Sequence, residues 1–293
     1  MRPLLASWLF AILSVFPAQA QRVPVQSTVT GELGDAGIRE SSGVAVSRHH
    51  PDLLWTHNDS GADPLLYAID WSGRLVATYR VVGARAVDWE DLALGPCPDP
   101  DLGRACLFIA DTGDNSERRD DAVIYVVPEP DPGSLSSSTG YVVAARALHV
   151  EYDDGPRDAE ALAVLPDGRV MLFSKGRSGP ILRYSIEPRA FASESLVLTA
   201  PDTIAIDPQP LVGRWVTGAA ISPSGDRAVL GTHTELYFFD RTSTKWQREG
   251  EGCWLGVPLR QWEAVDWIDE RNVVVTSERA WGREGVVRTL RCF

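Results

Sequence analysis

The chain has 293 residues, 44% of them hydrophobic and 23% charged, which is enough apolar material for a sizeable core and excludes a disordered or collagen-like chain. Its 28 basic residues face 40 acidic ones, for a net charge of −12, so binding a phosphate backbone is not its main task and metal cations are the more natural partners. The 20 Pro and 25 Gly, spread along the chain, favour many short elements.

Residues 1–20 read as a secretory signal peptide. Arg2 gives a minimal positive start, Leu4 to Phe16 an uncharged apolar run, and Ala18-Gln19-Ala20 a small-residue cleavage site. The apolar run is shorter than the ~20 residues that span a bilayer, and nothing later is long and apolar enough, so the mature chain, residues 21–293, is expected to be periplasmic or secreted without a membrane span. An oxidising compartment would pair the four cysteines. Three pairings are open. Cys97 with Cys106, closing a local loop rich in Pro and Asp, and Cys253 with Cys292, tying down the C-terminus, are expected. A zinc site is disfavoured because no C-x-x-C spacing occurs.

Val23 to Leu33 is strand-like but belongs to no complete unit. From Glu40 onward one grammar recurs: a polar start opening a small apolar strand, a turn, and a second apolar strand. The first unit runs Glu40-Ser-Ser-Gly-Val-Ala-Val46, then Leu53 to Thr56, and ends on Leu66-Tyr-Ala-Ile-Asp70. The second opens on Asp88-Trp-Glu-Asp-Leu-Ala-Leu94, continues through Cys106 to Ala110, and closes on Ile124 to Val127. Asp158-Ala-Glu-Ala-Leu-Ala-Val164, the turn Pro166-Asp167-Gly168, Val170 to Phe173 and Ile181 to Ser185 form the third. The fourth uses Val216-Thr-Gly-Ala-Ala-Ile-Ser222, Ala228 to Gly231 and Leu236 to Asp240. Gln261-Trp-Glu-Ala-Val-Asp-Trp267 and Val273 to Thr276 begin a fifth, which the chain end leaves short.

No stretch of helical periodicity separates the units, so the expected fold is all-β, a single β-propeller domain over 21–293 with five blades. A six-bladed ring is the alternative, with the extra blade in 128–157 or 186–214. The strand Val23 to Leu33 would complete the short last unit and close the ring.

In each hairpin the start of the first strand and the end of the second lie at one end of the blade. One face therefore collects Glu40, Asp88, Glu90, Asp91, Asp158, Glu160, Glu263 and Asp266 with the segments after the second strands, His57 to Gly61, Asp111 to Asn115, Ser174 to Arg177, Thr232 to Glu235 and Ser277 to Arg279. Crowded carboxylates need neutralising, and hard oxygen donors suit Ca²⁺. His57 and His233 are the histidines placed on that face, as proton carriers or metal ligands. Lys175, one of only two lysines with Lys245, would clamp an anionic substrate there or pair with the acids. Trp89, Trp215, Trp262 and Trp267 are expected to pack between blades. No G-x-S-x-G, P-loop, G-x-G-x-x-G or H-E-x-x-H motif occurs, which disfavours serine-hydrolase, nucleotide and zincin chemistry.

The segments Glu40-Ser-Ser-Gly-Val-Ala45, His57-Asn-Asp-Ser-Gly61, Asp88-Trp-Glu-Asp-Leu-Ala93, Asp111-Thr-Gly-Asp-Asn115 and Asp158-Ala-Glu-Ala-Leu-Ala163 resemble secreted bacterial propellers related to calcium-dependent enzymes: β-propeller phytases, their esterase-like relatives and the lactonase group. The resemblance is clear over residues 38–175 and weaker beyond. It implies calcium held at Glu40, Asn58, Asp59, Glu90, Asp114, Asn115, Glu160 and Glu263. The fourth unit departs from the pattern, with Thr217-Gly218 where the others carry an acid. The function expected is an exported calcium-binding propeller hydrolysing phosphoesters, esters or lactones, with His57, His233 and Lys175 as catalytic candidates on a small-molecule or anionic substrate. The alternative is a non-catalytic envelope propeller that binds a glycan, peptide or protein. A monomer is expected, with no nucleic-acid partner.

Overall fold

Runs of small and β-branched residues, broken by turn triplets such as Pro166-Asp167-Gly168, give strands that pair antiparallel with their chain neighbours. A computed structural model describes residues 22–134, 139–144, 146–206, 214–242, 245–256 and 261–293; the expected signal segment, 1–20, lies outside the described residues. Blade 1 consists of Ser41–Val46, Leu53–Asn58, Leu65–Asp70 and Leu75–Val82. Blade 2 has Trp89–Pro96, Ala105–Asp111, Ala122–Pro128 and Arg146–Tyr152, and blade 3 has Ala159–Val164, Val170–Ser174, Ile181–Ile186 and Asp202–Ile204. Val216–Ile221, Arg227–Thr232 and Glu235–Asp240, with the short Gln247–Arg248 and Cys253–Trp254 outside them, make blade 4. Blade 5 joins Trp262–Trp267, Val273–Ser277 and Gly285–Arg291 to the N-terminal strand Gln26–Leu33.

The first strands of the blades contact one another in the order 1, 2, 3, 4, 5 and back to 1. The protein is a closed five-bladed β-propeller, and the six-bladed alternative is set aside. The stretches considered for a sixth blade supply the fourth strands of blades 2 and 3 instead. They also lay one strand parallel along the outer edge of the preceding blade: Thr139–Val143 on Leu75–Val82, and Ser195–Leu198 on Arg146–Tyr152. Both cover edges that would otherwise offer unpaired backbone groups to other chains.

A small twisted sheet cannot cover its own two faces, and the apolar side chains accordingly collect between blades. Five buried clusters result, one at each interface. Trp55 and Trp89 lie between blades 1 and 2, Phe108 and Tyr184 between 2 and 3, Phe173 and Tyr237 between 3 and 4, and Phe238 and Trp267 between 4 and 5. The closing interface, between 5 and 1, is mostly aliphatic, with Val44, Leu54, Ile69, Val274 and Val287 around Leu33 and Ile38.

Cys97–Cys106 closes the first hairpin of blade 2, and Cys253–Cys292 fastens the last strand of blade 5 to the outer part of blade 4, as expected. A cross-link over a separation of 39 residues restricts the unfolded chain by about 4 kcal/mol in the loop-entropy account. Two disulfides point to an oxidising compartment. Among the described residues, no helix is long and apolar enough to cross a membrane.

Candidate metal centre

Each first strand carries a β-bulge at its upper end. The pairing steps from Trp89↔Asp111 to Leu92↔Ile109 in blade 2, from Ala159↔Ser174 to Ala161↔Phe173 in blade 3, and likewise at Ser41, Val216 and Trp262 in the other blades. The extra position is held by Ser42, Glu90, Glu160, Thr217 and Glu263. A bulge re-aims one side chain without displacing the rest of the strand, and all five of these residues are buried. The residues that follow the second strands, Asp59, Thr112, Lys175, His233 and Glu278, form a second ring beside the first. Their backbone is held to the strand starts by Asp59 N–H to Glu40 O (2.9 Å), Lys175 N–H to Asp158 O (2.8 Å) and Glu278 N–H to Gln261 O (3.1 Å).

Two carboxylate triads stand at this mouth, Asp59–Asp88–Glu90 and Glu90–Asp158–Glu160, each offering oxygens within 4.8 Å of one another. Oxygens no farther apart than that can share one calcium ion with bonds of about 2.4 Å, and the all-carboxylate donor set suits a hard cation. Glu90 belongs to both triads, is only 5% exposed, and receives no hydrogen bond from a described residue; the groups acting on it are charges, namely Glu160, Asp59, Asp88 and Lys175.

Burial, then the neighbouring acids, pushes Glu90 well above the usual carboxylate range. Burial first, against the pull of Lys175, does the same to Glu160. Asp59 is raised to about 6 by burial, with Asp88, Glu263 and Glu40 adding to it, and Glu278 to about 8 by burial and then Glu263. Burial also raises Asp88, although Arg119 opposes it. Without a bound cation the mouth therefore keeps protons that exposed carboxylates would have lost.

Lys175 pairs with Glu160 and lies 3.8 Å from Asp158 Oδ2. Burial alone would lower its pKa, yet Glu160, Asp158 and Glu90 outweigh that and hold it above its ordinary value. Of its two expected roles, pairing with the acids is the one the geometry shows.

The other residues singled out from the sequence divide clearly. Glu263 stands on the mouth with His233 Nδ1 3.3 Å from its Oε1, and His233 packs edge-on to Trp215. Glu40 and Asn115 are exposed. Asn58 is engaged in holding the preceding loop, its Oδ1 accepting from the N–H groups of Arg39 (2.9 Å) and Glu40 (3.1 Å) and its Nδ2 donating to Gly37 O (2.6 Å). Asp114 organises its own turn by accepting from Ser116 Oγ and from the backbone of Arg118 and Arg119. His57 lies below the mouth, fully buried against Trp89 with ring centroids 5.3 Å apart. Burial lowers its pKa to about 4, so the imidazole is neutral at physiological pH.

Asp91 and Asp266, expected on the acidic face, sit deeper as clasps between blades. Asp91 is wholly buried and accepts from the N–H groups of Leu92 (2.8 Å), Leu162 in blade 3 (2.8 Å) and Ala219 in blade 4 (3.0 Å). Asp266 accepts from Val46 of blade 1 and from Trp267, both at 2.7 Å. The backbone-binding role open to any acid on a first strand is thus taken by these two, and Glu90 is left without one. Asp88, Asp158 and Glu278 were not assigned as ligands from the sequence. The repeated Asp-x-Glu of Asp88-Trp-Glu90 and Asp158-Ala-Glu160 was the signal for the first two.

Gly113 closes over the first triad. A Cβ there would fall 1.9 Å from Glu90 Oε1 and 2.6 Å from Asp88 Oδ2. Gly113→Ala is therefore expected to displace both carboxylates and weaken cation binding at least about tenfold, the scale on which misplaced metal supports act. Unchanged calcium affinity by titration calorimetry would show that these two oxygens are not the seat. A separate cavity of ≈ 420 Å³ opens at the opposite end of the ring among Leu94, Pro96, Arg104, Pro166 and Pro223, away from both triads.

No protein-family model matches the chain, and no curated protein matches it. Among solved structures, the chain is similar to the PQQ-bound form of an aldose sugar dehydrogenase from Streptomyces coelicolor. The identity is 10%, the coverage 90% of this chain and 98% of that one, and the TM-score 0.52. At that identity the likeness is one of fold.

Proposed function

We propose that the chain is an exported calcium-binding β-propeller whose cation, held by Asp59, Asp88 and Glu90, engages an oxygen-rich ligand at the mouth of the ring. The observation that carries this reading is Glu90, buried, shared by both triads and without a hydrogen-bond partner among the described residues. Glu40 and Glu263 supply surrounding negative charge, as their effects on Asp59 and Glu278 indicate. Export is supported by the disulfides and by the signal-like first 20 residues. The cofactor of the dehydrogenase is not carried over, because at 10% identity the likeness is one of fold.

Hydrolysis of a phosphoester, ester or lactone is the activity this arrangement favours. Calcium would supply a Lewis acid for a phosphoryl or carbonyl oxygen. The chain itself contributes Glu278, outside the three ligands, whose pKa burial and Glu263 push up to about 8 and which is thereby suited to exchange a proton near neutral pH. Binding of a glycan, peptide or protein without turnover is the second reading, favoured by the burial of His57 under Trp89, which removes that imidazole from the mouth. The deciding experiment is an assay of the purified mature chain on phosphoester, ester and lactone substrates with calcium and with EDTA, beside Asp88→Asn. Calcium-dependent turnover lost in the variant supports hydrolysis. Calcium binding with no turnover on any of the three classes leaves the binding reading.

A further inference from the structure

Lys175 fills a place where an ion would fit. Its Nζ contacts Glu160 and stands 3.8 Å from Asp158 Oδ2, inside the Glu90–Asp158–Glu160 triad. Asp158 is 2% exposed and that oxygen has no hydrogen-bond partner, so the ammonium is the positive charge set against the carboxylates of the triad. The side chain is delivered there by a fixed main chain. Lys175 N–H donates to Asp158 O (2.8 Å) in its own blade, and Lys175 O accepts from Val216 N–H (3.1 Å) in blade 4. The next residue, Gly176, takes φ +76° against Ile181, a turn that an L side chain would strain. The choice of lysine is also telling in a chain whose 28 basic residues include only two. An ammonium is a compact point charge, as a metal ion is, whereas a guanidinium is a broad planar fork.

We propose that Lys175 is a built-in cation occupying the second of two adjoining cation seats. The ring then binds one divalent ion, at Asp59–Asp88–Glu90, and removing the ammonium opens the Glu90–Asp158–Glu160 seat to another. This rests on the calcium reading of the first seat and adds the stoichiometry of the site and the source of its second positive charge. An anionic oxygen entering the mouth would meet an ion and a fixed ammonium on either side of Glu90.

Calcium stoichiometry by equilibrium dialysis tests it on the mature chain. The wild type is expected to hold one ion, Lys175→Met two, and the double variant Lys175→Met/Glu160→Gln one. Glu160→Gln alone should keep its single ion, because in the wild type that seat is taken by lysine. One ion in a folded Lys175→Met would overturn the proposal and leave the calcium reading intact. Loss of the ion in Glu160→Gln would also overturn it, by showing that calcium displaces Lys175, and this arm holds even where Lys175→Met does not fold. No ion in the wild type but one in Lys175→Met would refute the first seat and uphold the role of Lys175. No ion in either would refute both.

Discussion

In EDTA the melting temperature is expected to fall as the pH is raised from about 5 to about 8, and excess calcium to reverse that trend. Exposed Asp and Glu lose their protons near pH 4, whereas burial holds Asp59 protonated to about 6 and Glu278 to about 8, with Glu90 and Glu160 also raised. Between these limits the folded chain binds more protons than the unfolded one, so raising the pH favours unfolding. The stabilisation is complete below about pH 4 and is lost as the pH passes the folded values. This is the reverse of acid denaturation driven by salt-bridged carboxylates.

Calcium competes with those protons, so its effect should be small at pH 5 and full at pH 8. An ion at ~100 times its Kd adds about 2.7 kcal/mol, or roughly 5–10 °C for a chain of this size. Glu90→Gln should remove most of the calcium shift and flatten part of the slope in EDTA. Scanning fluorimetry at three pH values reads both effects. A flat profile in EDTA would mean the acids are not proton-loaded, and no calcium shift at pH 8 would mean there is no seat.

A chain that begins at residue 34 is expected to melt at least roughly 10 °C lower, or to aggregate. The N-terminal strand Gln26–Leu33 is the outermost strand of blade 5, paired antiparallel with Gly285–Arg291 with a register shift between Val29 and Gly31. Leu33, 1% exposed, belongs to the aliphatic interface that closes the ring, and losing such a side chain costs 2–5 kcal/mol. Gly31 lies so close to blade 1 that a Cβ would fall 2.0 Å from the Ser72 carbonyl. Arg22 also reaches blade 4, where its carbonyl accepts from Trp254 N–H at 2.7 Å. Removing the strand exposes a long sheet edge as well as apolar area. The Cys253–Cys292 bond would still hold Gly285–Arg291 in place, so the loss reports on closure itself. A truncated chain that melts within about 2 °C of the full one, and elutes as a monomer, would show that the ring closes without it.

The blades were legible because each repeats one local grammar, and the closing strand because the last unit was visibly short. The parallel edge strands were not legible. Thr139–Val143 pairs with Leu75–Val82 in the preceding blade, and nothing in either segment specifies the other. At the site, Glu90 and Glu160 followed from their places in the repeat. His57 was misplaced for a reason the sequence does contain: side chains alternate along a strand, and within Leu53–Asn58 the step from Asn58 to His57 turns the ring into the blade 2 interface. Asp114 carried a local sign in Ser116, two residues on, which its carboxylate binds. Asn58 had no such sign, because Gly37, Arg39 and Glu40 lie in a loop far from it in sequence.

Asp91, reaching from blade 2 to the backbone of blades 3 and 4, bars the axis of the ring. Between neighbouring first strands there is no gap either: where Gly43 of blade 1 meets Leu92 of blade 2, even a methyl group would collide, at 2.5 Å. The axis is therefore a cul-de-sac rather than a conduit. Whatever enters at the carboxylate end must leave by the same door, and a molecule lodged in the cavity beside Arg104 at the other end cannot exchange with it. The two ends are free to diverge independently, one under the demands of a charged ligand and the other under none that the first imposes.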